Sequence, residues 1–327
     1  MKEIKYFIFL LSIALVCCKD KKVSAVATAS GELEFYNELI EESPFVDSLY
    51  SLRAAYYYDH GQFKDAIKDL EYAIKLDSSR PQYFHLLADS YLDNNQSFDG
   101  LNTMKEAATR FPQRISTLLK LCEFQNILKR YEQSVITAIE ILKIDPLNAE
   151  AYFMTGINYR DLKDTANAIK SFKKATTYND KLVDAWILLA QLSYQKEPAY
   201  SEKCIETAMR IDSLSVITLN SIAAFYQDKN FEKALTIYRK MILIDPSNTT
   251  AYLNAGLLYF SIDSFSRALE HFNIACMKNP TNAQYYYYRG TAREALSDKT
   301  GARADYQMAV NLAPDNTEYK TALNQLK

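Results

Sequence analysis

The sequence predicts an all-α chain, an α-solenoid of about eight helix-turn-helix repeats, and three observations predict it. Proline keeps a ruler: Pro112 and Pro146 stand 34 residues apart, as do Pro246 and Pro280, and Pro280 and Pro314. The hundred residues between Pro146 and Pro246 divide into one interval of 34 and two of 33. Small and aromatic side chains recur in register with that ruler. The 327 residues also hold only 7 Gly and 8 Pro, against about 23 and about 16 at ordinary usage. Hairpin turns and phosphate-cradling loops draw on glycine, and no Gly-x-Gly occurs. The shortage therefore speaks against a nucleotide-binding α/β enzyme and against a β-sandwich.

The chain opens on an address. Lys2 and Lys5 precede an apolar run, Tyr6 to Val16, broken only by Ser12. A run of that length at a rise of ~1.5 Å per residue covers about half of a ~30 Å hydrocarbon core, so residues 1–17 read as a signal peptide rather than a membrane span. The run ends in Leu15-Val16-Cys17-Cys18 and turns polar at Lys19. This resembles the bacterial lipoprotein signal, which has Leu three residues before a lipidated Cys and a small residue just before it. Cys18 fits, with Leu15 and Cys17 in those places. The resemblance implies a lipid-anchored protein of the bacterial cell envelope; Lys19 after the Cys implies the outer membrane, on its periplasmic or surface face. The other reading is an ordinary secretory signal cleaved nearby. Residues 18–31 are small and polar and form a tether. Residues 32–46 place Leu33, Phe35, Tyr36, Leu39 and Ile40 at helical spacing before Pro44, as an N-terminal capping helix.

Residues 47–316 follow as eight repeats, cut at 47–80, 81–114, 115–148, 149–182, 183–215, 216–248, 249–282 and 283–316. In the seventh, Tyr252, Ala255, Gly256 and Tyr259 hold positions 4, 7, 8 and 11, and Phe265, Ala268, Phe272, Ala275 and Pro280 hold 17, 20, 24, 27 and 32. The fourth has Tyr152, Thr155, Gly156, Tyr159, Ala168, Phe172 and Ala175; the fifth supplies the one Trp, Trp186, at position 4. This pattern resembles the tetratricopeptide repeat family, with its W-x2-L-G-x2-Y…A-x3-F…P signature, and the resemblance implies a right-handed solenoid. Positions 4, 7, 8 and 11 share one face of a first helix, and 20, 24 and 27 one face of a second. Small residues at 8 and 20 let the two axes approach while aromatics fill the gap to the next pair. Arg53 and Arg289 depart from the usual Leu at position 7, and the fifth and sixth repeats are each one residue short at the inter-helix turn. Residues 317–327 are the closing, solvating helix.

No chemistry assembles from this pattern. His60, His85 and His271 fall in distant repeats, so no metal site and no cofactor is expected, and Cys122, Cys204 and Cys276 read as packing residues. Thirty-eight basic residues against forty acidic leave a net charge of -2, which gives no electrostatic footprint for nucleic acid. No small-molecule substrate is expected either. Function then lies on the concave face, which the family lines with first-helix positions 2, 5, 9 and 12, with 13 at its edge. The candidate peptide-binding residues are Tyr58, His85, Asp89, Glu123, Asn126, Phe153, Arg160, Asp161, Gln191, Tyr194, Asn220, Gln227, Phe260, Tyr287 and Glu294. The wider face adds Leu119, Glu150, Asp59, Asp93, Asp184 and Asp228, and carries nine acids against one Arg. Such a face favours a basic and apolar peptide. Several of these acids are also turn formers or first-turn residues, where an acid is favoured whatever the function. The expectation is a non-catalytic, lipid-anchored interaction scaffold, or alternatively a soluble secretory chaperone-like carrier of exported peptides.

Overall fold

The computed structural model describes residues 29–326, and among them regular structure is helical throughout, eighteen α-helices with no strand. The expected signal peptide, Cys18 and most of the expected tether lie outside the described residues. No described helix is long and apolar enough to cross a membrane.

Two compact units divide the chain, one up to Gln96 and one from Ser97 onward. The N-terminal unit holds α1 (Ala29–Glu42), α2 (Asp47–Asp59), α3 (Phe63–Leu76) and α4 (Pro81–Asp93). The C-terminal unit begins with α5 (Ser97–Arg110), α6 (Ile115–Ile127), α7 (Tyr131–Ile144), α8 (Ala149–Asp161) and α9 (Thr165–Tyr178). It continues with α10 (Val183–Ser193), α11 (Pro198–Ile211), α12 (Val216–Tyr226), α13 (Phe231–Ile244) and α14 (Thr249–Ser261). It ends with α15 (Phe265–Lys278), α16 (Ala283–Ala295), α17 (Lys299–Leu312) and α18 (Thr317–Gln325). The boundary between units falls inside the stretch 81–114: α4 packs with α3, and α5 with α6.

The first described helix departs from its expected form. It starts at Ala29 rather than Glu32, shortening the tether, because Ala29 and Ser30 extend a helix at little cost in propensity. Its phase also makes it more than a cap. Both ends of α1 lie 34 residues before those of α3, and Pro44 stands two 34-residue periods before Pro112. Asn37 accepts a 2.7 Å hydrogen bond from Nη1 of Arg53, as Asn273 does at 3.4 Å from Nη1 of Arg289. α1 is thus the second helix of an incomplete repeat.

The turn inside each repeat explains the two short ones. Gly61, Asn95, Lys129, Lys163, Asp263 and Ser297, each the fifteenth residue of its repeat, adopt left-handed backbone with φ between 56° and 70°. The second helices of the fifth and sixth repeats start one residue earlier, at Pro198 and Phe231, and no residue of their turns has positive φ. The residue they lack is the left-handed one. Glycine adopts this conformation freely, whereas Lys does so at a cost of about 1–2 kcal/mol. Lys163→Gly is therefore expected to raise stability by about 1 kcal/mol, read as a higher urea midpoint.

The turn between repeats is closed by a side chain. Oδ1 accepts from the backbone N–H two residues on at Asp77 (2.8 Å), Asp145 (3.1 Å), Asn179 (3.0 Å) and Asp245 (2.9 Å). At Asp212 the donors are Ser215 N–H and Thr218 O–H, 3.1 and 2.6 Å away. These Asx turns hold the residue extended and stop the helix. The side-chain and backbone hydrogen bonds of Ser79 hold the Asp77 carboxyl down at about 2, and donors from Thr218 and Ser247 lower Asp212 and Asp245. Because the folded values lie below the unfolded ones, this stabilisation is complete above about pH 4 and is lost as pH falls through the folded values. The urea midpoint is expected to drop between about pH 4 and 2, and less steeply when the three aspartates are replaced by Asn.

In the core, Gly156, Gly256 and Gly290 each face the ring of their own repeat's second helix. A Cβ there would stand 2.6 Å from Phe172, 2.5 Å from Phe272 and 2.7 Å from Tyr306. Those three rings are fully buried. The arginines that depart from the pattern are paired: Arg53 with Asp69 through two bonds of 2.7 Å, and Arg289 with Asp305 at 3.0 and 2.6 Å.

Candidate binding groove

Within the C-terminal unit the first-helix face forms a cleft between α6 and α8. Ser116, Leu119, Lys120 and Glu123 recur at i, i+3, i+4 and i+7 on α6, so they share one side of that helix. Glu150, Phe153 and Met154 do the same on α8. Together they line a cleft of about 360 Å³ whose walls are almost entirely carbon. The ring of Phe153 is braced by Phe172, their centroids 5.8 Å apart. Glu150 sits in the first turn of α8, behind the Asn148 cap that accepts from Ala151 N–H at 2.8 Å. The Glu123 and Glu150 side chains reach solvent, and neither carboxylate makes a hydrogen bond or ion pair among the described residues. Lys120 lies over Phe124, its Nζ 6.0 Å from the ring centroid. Lys120 and Met154 lie one residue beyond the expected positions of Leu119 and Phe153; at a cleft edge the i, i+1 neighbour also lines the wall.

Most of the other candidates in this unit have other engagements. Asn126 donates to Asn158 at 2.9 Å, in a chain that continues from Asn158 to Ser134 at 2.7 Å. Arg160 and Asp161 neutralise each other at 2.8 Å. Tyr194 meets Phe225 edge-on at 5.5 Å, with Lys229 Nζ 5.1 Å from its ring. Asn220 accepts from Asn254 at 3.3 Å, and Phe260 packs on Phe265 at 5.0 Å. Gln191 and Gln227 are exposed. Tyr287 is taken up by α18, donating to Glu318 at 3.0 Å and packing on Tyr319 at 4.9 Å. Glu294 accepts from Tyr306 at 2.7 Å. These last two side chains hold the end of the array together.

The N-terminal unit gathers the remaining three. Tyr58 donates to Asp93, and that bond, with burial and the nearby charges of Asp89 and Asp59, pushes the Tyr58 phenol up to about 12. His85 and Asp89 share one side of α4, four residues apart. Cys122, Cys204 and Cys276 are buried free thiols. Burial pushes Cys122 up to about 12 and Cys276 to about 11, away from the thiolate that reacts. Among the described residues no three metal-ligating side chains cluster.

The tetratricopeptide repeat family model matches residues 149–181 and 253–317, the fourth repeat and the stretch through the seventh and eighth. The chain carries tetratricopeptide repeats. Human tetratricopeptide repeat protein 16 is 24% identical over 317 residues, covering 89% of this chain and 33% of that protein. Mouse RNA polymerase II-associated protein 3 is 27% identical over 187 residues, covering 52% of this chain and 28% of that protein. The tetratricopeptide array thus spans about a third or less of the length of these curated relatives. Among solved structures, yeast Tom70 superposes with a TM-score of 0.56 at 15% identity, over 91% of this chain and 84% of that one. That likeness establishes the shared fold of the tetratricopeptide array.

Proposed function

We propose that this chain is a non-catalytic interaction scaffold that binds protein or peptide partners on its first-helix face, held in a bacterial cell envelope by a lipid on Cys18. The observation that carries the binding half is the cleft between α6 and α8: open, carbon-walled and rimmed by two carboxylates without partners. A stacked array orders its backbone through neighbouring repeats and leaves such a face pre-formed, so a partner gains contact without ordering the scaffold. The anchoring half rests on the Leu15 to Cys18 pattern.

Two measurements test it. Membrane fractionation of cells expressing Cys18→Ala is expected to move the protein from the membrane to the soluble fraction; a distribution unchanged from wild type, soluble in both, supports the secretory carrier instead. Crosslinking in intact membranes is expected to capture partners that are lost when Asp89, Glu123 and Asp161 are reversed to Lys. Capture indifferent to all three reversals removes the first-helix face from the reading.

A further inference from the structure

Resting on the reading of this face as a binding surface, we infer that the α6–α8 cleft selects a bulky apolar side chain flanked by a basic residue. The cleft decides both features. Its volume of about 360 Å³ lies at the small end of the ~300–1,000 Å³ typical of ligand pockets. It therefore takes one or two side chains rather than a helix laid along a groove. Leu119, Phe153 and Met154 give that side chain a carbon surface, and burying it there is the main favourable contribution to affinity.

The flanking residue is set by charge. Glu123 on α6 and Glu150 on α8 stand on the two sides of the same cleft, and neither has a cation of its own. Lys120 is the one cation of the lining and lies over the Phe124 ring. A lysine or arginine near the apolar anchor supplies the missing partner, while an acidic neighbour meets repulsion from both carboxylates. On an extended peptide, alternate side chains point the same way. The basic residue thus belongs two positions from the anchor.

The test is display of random dodecapeptides on the purified full chain and on its Glu123→Lys/Glu150→Lys variant. Both positions are exposed, so the variant keeps its fold, and its circular dichroism should match the parent. Wild type is expected to enrich peptides with Leu, Met, Phe or Trp two positions from Lys or Arg. Synthetic copies should bind the double reversal roughly tenfold more weakly, and should lose binding when the apolar residue becomes Ala. Enriched peptides without that pairing, or with it but bound equally by the double reversal, overturn this specificity and leave the binding reading standing. Enrichment of no peptide at all overturns both.

Discussion

Asp305→Ile is expected to destabilise the C-terminal unit by about 3–5 kcal/mol. Asp305 is 2% exposed and accepts from Arg289 at 3.0 and 2.6 Å and from Arg293 at 2.8 Å. Removing the carboxylate strands the Arg289 guanidinium, whose side chain is 19% exposed, in a site built for a charge pair. Removing both partners is a different experiment. The sixth repeat places Ile222 and Ile237, both buried, at the positions that Arg289 and Asp305 hold in the eighth. Arg289→Ile/Asp305→Ile copies that apolar solution, and Arg293 retains Asp298 3.8 Å away. The double variant is expected to recover most of the loss, since a well-packed apolar pair commonly matches a buried ion pair. Urea midpoints of the parent, both singles and the double give the coupling directly. A double as unstable as the Asp305 single would show that Arg289 contributes nothing beyond its tie to that carboxylate.

The same pair shows what could be read in the sequence and what could not. Helix phase was legible because every repeat restates it: proline, small residue and aromatic at fixed places leave one arrangement that buries all three. Arg53 and Arg289 stood out as breaks in that pattern. Their resolution lay sixteen residues on, at Asp69 and Asp305, a spacing that becomes contact only once the second helix folds against the first. α1 is legible as half a repeat only when the proline ruler extends back to Pro44, two periods before Pro112. On the binding face, periodicity picks out a side of a helix but not whether a neighbour's side chain reaches across it. Glu123 and Phe153 meet in one cleft. Tyr287 shares its helix position with Phe153, and Glu294 lies on the same expected face, yet Glu318 on α18 and Tyr306 on α17 occupy them.

Phe272→Ala is expected to cost about 3–5 kcal/mol, as for a fully buried aromatic removed from a core that relaxes only in part. The ring fills the contact between repeats: it stacks on Tyr288 at 5.9 Å and lies against Gly256 of its own repeat. Gly256→Val in the parent is expected to cost about 1–3 kcal/mol, because its Cβ would stand 2.5 Å from Phe272 Cε1 in a core with no room to yield. That overpacking outweighs the ~0.5 kcal/mol by which Val exceeds Gly in helix propensity. Combined, the two changes act on one volume with opposite sign. The valine methyls enter space the ring has left, and the propensity gain is then no longer masked. Gly256→Val is therefore expected to be destabilising in the parent and stabilising in the Phe272→Ala background. Four urea unfolding curves measure that reversal. Additive costs would mean that position 8 and position 24 do not share the space that the 2.5 Å approach describes.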